Sequence, residues 1–165
     1  MLTDKKIMLT SRMIKAKLQR MALEIVENHP IGNAPLIIIG VENGGLMIAD
    51  IIAELLKPYI NTSLLSVSID KVGTDHVTIN QSFDFKAQHV LIIDDVSNSG
   101  KTLLYALKPL LAYNPASIRT LVLVERMHKL FPVKPDYVGF SVATTAEDFI
   151  KVEMVADELV AYIMQ

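Results

Sequence analysis

The chain has 165 residues, 51% of them apolar and 21% charged, a balance that can bury a core and that argues against disorder. Its longest unbroken apolar run is the six residues Leu159–Met164, too short for a membrane-spanning helix. The lack of cysteine removes disulfides, thiolate metal sites, iron–sulfur clusters and cysteine nucleophiles together. The net charge of −2 gives no global attraction for nucleic acid, although the first twenty residues hold six cations (Lys5, Lys6, Arg12, Lys15, Lys17, Arg20) against one acid, Asp4. These cations interrupt any apolar core of a secretory leader. A single domain over residues 1–165 in the cytoplasm is the expectation.

In chain order, Ile14, Leu18, Met21, Ala22 and Ile25 recur at helical spacing, with Thr10 or Ser11 placed to cap the start and Asn28, Pro30 and Gly32 to end the helix. Residues 34–40 (APLIIIG) form a short apolar run ending on glycine, as a strand buried on both faces would. A helix follows over 46–59, stopping near Pro58, and a strand over 62–69. Residues 70–88 are polar and weakly patterned, a loop or a small hairpin. Residues 89–94 (HVLIID) read as another buried strand, 100–113 as a helix and 116–124 as a strand. An irregular, proline-bearing stretch then leads to late strands at 136–142 and at 149–154 or 159–164. Alternating strand and helix units predict an α/β fold, a mostly parallel sheet flanked by helices, with ligands beyond the carboxyl ends of its strands.

One such end carries the chemistry. Val90 to Ile93 run into two adjacent carboxylates, Asp94 and Asp95, and then into a small polar loop, Val96, Ser97, Asn98, Ser99, Gly100, Lys101 and Thr102, that opens a helix. Backbone N–H groups, hydroxyls and a helix N-terminus are the elements of a phosphate cradle, with Gly100 allowing close approach and Lys101 adding charge. Carboxylates pointing into a phosphate would repel it, so they serve better as acceptors for a neighbouring diol. Cradle and acceptors together predict a ribose 5-phosphate grip. The tail Ser-Gly-Lys-Thr is shared with nucleotide-triphosphatase loops, but those need a glycine where Asp95 stands.

Residues 90–103 (VLIIDDVSNSGKTL) resemble the phosphoribosyl diphosphate signature of the type I phosphoribosyltransferases. The resemblance runs along most of the chain and is nearest to the bifunctional pyrimidine operon regulator and uracil phosphoribosyltransferase group. It implies that fold, with a small hood. It also implies transfer of a phosphoribosyl group from phosphoribosyl diphosphate to a nitrogen base, with Asp94 and Asp95 on the ribose and Ser97 to Thr102 on the 5-phosphate. Glu42, Asn43, Gly44 and Gly45 fall on the pyrophosphate loop. Arg126 and Val142 fall beside the base, and Lys134 matches a lysine of the hypoxanthine enzymes that reads a purine carbonyl. The base, uracil or purine-like, is left open. The resemblance further implies Mg²⁺ bridging diphosphate and ribose, held through ligand and water without a protein metal site, and a homodimer.

Three departures stand out. The pyrophosphate loop lacks the cations its apparent relatives place there, and Glu42 adds a negative charge; a cation at Gly44, with Glu42→Lys, is the change expected to restore the pattern. The segment after Asp70 is shorter than the family's lid and has no arginine, leaving Lys71 or His76 as stand-ins. Leu104, Gln19 and Leu23 replace an arginine, a threonine and a histidine of the regulators, which weakens an RNA-binding reading although Arg20 is kept. His128 reads as a proton shuttle or a loop hydrogen-bonder, and His29, His76 and His89 have no metal-ligand spacing. A nucleotide sensor that keeps only the ribose-phosphate site is the rival to the enzyme.

Overall fold

A computed structural model describes residues 4–70 and 76–165. The basic segment before Thr10 forms a strand, β1 (Lys5–Leu9), which the sequence reading did not assign. Thr10 then caps α1 (Ser11–Asn28), its side chain accepting from the Met13 N–H, and the predicted stripe Ile14, Leu18, Met21, Ala22 and Ile25 is buried. β2 (Leu36–Val41) is buried at all six positions. α2 (Gly44–Leu56), β3 (Thr62–Ile69) and β4 (Val77–Ile79) follow, the last two pairing antiparallel as a small hairpin.

β5 (His89–Ser97) continues three residues past Asp94, because Val96 and Ser97 keep their ladder with Val124 and Glu125 of β6 (Ser117–Arg126). The helix expected over 100–113 is divided: α3 (Lys101–Leu107) gives way to a 3₁₀ segment, Lys108–Tyr113. Pro109 is the cause, since it has no N–H to donate to the preceding turn but fits the first turn of a new segment. β7 (Tyr137–Val142), β8 (Phe149–Val155) and β9 (Glu158–Met164) complete the chain, so both late candidates are strands.

Six strands form one sheet in the order β4-β3-β2-β5-β6-β7, parallel except for β4. A second, antiparallel sheet of order β1-β9-β8 makes the small hood. Neighbouring residues of β2 face opposite ways: Ile38 joins the cluster under α1 and α2, while Ile37 and Ile39 join the one under α3. Ile150, Val152, Leu159 and Ala161 of the hood belong to the first cluster and fasten the hood to it. From β2 the chain proceeds outward to β3 and from β5 outward to β6, so the strand order reverses between β2 and β5, where open α/β sheets bind ligands.

Candidate functional site

Gly40 of β2 pairs with Ile93 of β5, which sets the loop after β2 beside Asp94 and Asp95. Asp94 is buried, and its Oδ1 accepts the Asp95 N–H at 2.8 Å; Asp95 Oδ1 accepts the Val96 N–H at 2.8 Å. Each carboxylate is thus aimed by the backbone of the next residue.

Val96 to Leu103 and Asp94 line a small polar cavity of about 40 Å³. Gly100 adopts φ +86°, where a side chain is strained, and a Cβ there would lie 3.2 Å from the Phe131 carbonyl. The loop is braced from outside: the Ser99 carbonyl accepts from the Leu130 and Phe131 N–H groups, both at 3.0 Å, and Ser99 Oγ accepts the Lys101 N–H at 3.3 Å. Ser97 is buried, and its Oγ has no hydrogen-bond partner. A polar atom left so in a native fold calls for an explanation, and a bound oxyanion is one. Lys129, which the sequence did not single out, donates to the Arg126 carbonyl (2.6 Å) and the Ser97 carbonyl (3.4 Å) and lies 3.3 Å from Glu125. The single signal for it was its cationic neighbourhood in a loop with no period.

The loop after β2 is made of different material. Glu42 Oε1 accepts the Ser66 hydroxyl at 2.9 Å and its N–H reaches the Val67 carbonyl, so the carboxylate is tied to β3. A Cβ on Gly44 would lie 2.1 Å from Asp95 Oδ2, and one on Gly45 would lie 2.5 Å from the Ile93 carbonyl. These glycines let the loop press onto the end of β5. A cation placed at Gly44 would therefore have to displace the Asp95 carboxylate, a cost that the sequence did not show.

Both loops open on a cleft of about 330 Å³, lined by Glu42, Asn43, Gly44, Asp94, Asp95, Asn98 and Thr102 and, from the hood, by Phe149, Ile150 and Lys151. The hood residues were missed. Alternation along 149–153 shows which side chains share a face, but not that edge strand β8 borders the cleft. Phe149 is 48% exposed and lines the cleft together with the carboxylates. Lys151 pairs with Glu153 at 2.9 Å. Lys71 lies outside the described residues; His76 sits at the base of the β3–β4 hairpin, where its carbonyl accepts the Asp70 N–H.

The three residues assigned to the base side are not gathered in the cleft. Arg126 and Val142 are paired at the carboxyl ends of β6 and β7. The Arg126 guanidinium donates to Thr144 Oγ1 (2.7 Å) and the Thr145 carbonyl (2.6 Å), clamping the loop that leads into β8. Asp148 locks the same loop by accepting the Thr145 N–H and hydroxyl. Those two bonds, with a smaller contribution from Arg126, hold its carboxyl below the usual range. Lys134 and His128 are exposed and are not among the residues lining the cleft. Among the described residues no group of three His, Asp or Glu side chains could hold a metal ion unaided. The arrangement can nonetheless take an oxyanion in the cradle, hydroxyl donors on two carboxylates and a flat ring against Phe149.

A family model described as "Phosphoribosyl transferase domain" matches residues 6–157. The bifunctional protein PyrR of Streptococcus pneumoniae (strain CGSP14) is 32% identical over 150 residues, covering 86% of this chain and 85% of PyrR. The hypoxanthine phosphoribosyltransferase of Trypanosoma cruzi superposes with a TM-score of 0.80 at 19% identity over 97% of both chains. A variant of that enzyme in complex with the product IMP gives 0.80 at 20% identity, over 99% of this chain and 91% of the other.

Proposed function

The chain belongs to the phosphoribosyl transferase domain family, and from that premise we propose that it grips phosphoribosyl diphosphate and transfers the phosphoribosyl group to a nitrogen base, uracil or purine-like, with release of pyrophosphate. The observation that carries this reading is the juxtaposition at the end of β5: two backbone-aimed carboxylates, Asp94 and Asp95, beside a cradle with an orphaned buried hydroxyl, Ser97 Oγ. In this reading the 5-phosphate takes backbone N–H groups of the loop Asn98 to Thr102, where α3 begins. Asp94 and Asp95 accept the ribose hydroxyls, and the base stacks on Phe149.

Chemistry of this kind needs no covalent step from the protein. The C1–pyrophosphate bond breaks as the base nitrogen closes on C1, and the enzyme holds both partners in line while excluding water. Mg²⁺ would be held mainly through substrate oxygens and water beside Asp94 and Asp95, since a hard cation keeps several waters and needs few protein ligands. Its chemistry is to neutralise charge on the diphosphate. Glu42 is held by Ser66, which directs its charge toward β3.

The same proposal includes one domain over 1–165, a homodimer and a cytoplasmic location; among the described residues no helix is long and apolar enough to cross a membrane. RNA is a poorer candidate ligand, because the basic N-terminal residues are largely engaged: Lys5 with Glu153, Lys15 with Glu158, Arg20 with Glu24 and two β7 carbonyls. The test is a transfer assay with radiolabelled uracil, hypoxanthine and guanine in saturating Mg²⁺. Base-specific formation of a nucleoside monophosphate, lost in Asp94→Asn/Asp95→Asn, is expected. Monophosphate binding without transfer to any base would instead identify a sensor.

A further inference from the structure

At the opposite end of the sheet from the cleft, the last turn of α1 meets the first residues of β2, β5 and β6 around a cavity of about 150 Å³. That volume accepts a single aromatic ring when the walls are apolar. Here Ile25, Leu36 and Leu91 supply apolar wall. The sheet register explains the rest of the lining. Leu36, His89 and Ser117 stand in one row across three strands, and Leu91 with Arg119 form the next row on the same face.

The polar side chains lining this cavity are neutral or cationic: Asn28, His29, His89, Ser117, Tyr137 and Arg119. The His29 and His89 rings meet edge to face at 5.4 Å, and each is anchored by one nitrogen: His29 Nε2 to the Ala34 carbonyl (2.7 Å) and His89 Nδ1 to Ser117 Oγ (2.8 Å). Tyr137 is 4% exposed, and burial raises its phenol above the ordinary value, so it is neutral. Arg119 is exposed at the mouth of the cavity, and its one hydrogen bond among the described residues, at 3.4 Å, goes to that phenol. Among the described residues no carboxylate comes within ion-pair distance of Arg119, and none lines the cavity. The nearest acid in sequence to Tyr137, Asp136, is committed to the Thr120 N–H at 2.8 Å.

We propose that this cavity is a second ligand site, which takes a small monocarboxylate with a one-ring apolar body. The ring enters between α1 and the strand ends, and the carboxylate pairs with the Arg119 guanidinium, whose fork geometry suits two oxygens. The carbonyl end of α1 repels an anion, which is why the carboxylate belongs on the sheet side at Arg119 and the uncharged ring against the helix. The inference does not depend on the reading of the cleft, since it uses none of its residues.

Benzoate, its neutral isostere benzamide, and acetate are the probes. Titration is followed by the ring resonances of the four histidines, and variants are checked by thermal melting and by nucleoside monophosphate binding. Benzoate should shift His29 and His89 saturably at millimolar concentration and leave His76 and His128 in place. Benzamide should bind roughly tenfold more weakly, about 1.4 kcal/mol, and acetate should lack the ring contacts and bind more weakly still. Arg119→Gln should reduce benzoate to the level of benzamide with melting and monophosphate binding unchanged; Arg119→Lys should retain an intermediate affinity. The proposal is overturned if benzoate gives no saturable shift at His29 and His89, if benzamide binds equally well, or if Arg119→Gln leaves benzoate binding intact.

Discussion

The loop after β5 and the loop after β2 face one cleft across a single strand pair, yet they meet it differently. The first brings two aimed carboxylates, a glycine at φ +86° and a bracing carbonyl at Ser99. The second brings close-packed glycines and a glutamate tied to its own sheet. A charge-assisted hydrogen bond contributes about 1.5–3 kcal/mol. In the proposed reaction, a loop without cations would give up affinity for a polyanion where the leaving group develops charge, and so would lose more in the transition state than in the ground state. The comparison separates binding from turnover: the sugar phosphate should be held well and the pyrophosphate poorly.

The largest effect that would break this contrast is expected on the strong side. Asp94→Asn/Asp95→Asn should weaken nucleoside monophosphate binding by about 10²–10⁴-fold, the loss of two charge-assisted bonds, with an unchanged far-ultraviolet circular dichroism spectrum; retained affinity would detach the acids from the ribose. Next, Gly100→Val forces a β-branched residue into the left-handed region and toward the Phe131 carbonyl. A loss of about 1–3 kcal/mol in urea unfolding is expected, together with loss of any sulfate or phosphate seen in the cradle of a crystal.

On the weak side the contrast can be sharpened by adding what is missing. Asn43 is exposed and lines the cleft, so Asn43→Arg should raise pyrophosphate affinity by about tenfold, one charged contact, read by calorimetry. Gly44→Arg should do the reverse and lose monophosphate binding too, because its Cβ would collide with Asp95. The smallest effect concerns the loop before β8. Asp148 has a lowered folded-state pKa, so its contribution is present above the ordinary carboxylate range and is lost as pH falls through it, below about pH 4. Asp148→Ala should accordingly flatten the acid limb of a stability-versus-pH curve while leaving the neutral limb lower.

Local signals explain which parts of this were legible in the sequence. The stripe Ile14 to Ile25 and the apolar run ending on Gly40 announce their elements because burial leaves its pattern in the sequence, and Asp94–Asp95 stand out because acids at the end of a buried strand are costly without a purpose. β1 was not legible: its partner is β9, Lys6 opposite Ile163, and nothing near residue 6 encodes a strand so distant in sequence. The same non-locality hid Phe149 and Lys151, whose role comes from the hood bordering the cleft. The resemblance put Arg126 beside the base, but the sequence could not show its guanidinium turned to Thr144 and Thr145. Nor could it show that a side chain at Gly44 would run into a carboxylate fifty-one positions later.

The contrast between the two loops is tested most directly by titrating the natural protein, in saturating Mg²⁺, with a nucleoside monophosphate and, separately, with pyrophosphate. The account predicts monophosphate binding that disappears in Asp94→Asn/Asp95→Asn, and pyrophosphate binding weaker than it by at least about tenfold. Equal or tighter binding of pyrophosphate would contradict it.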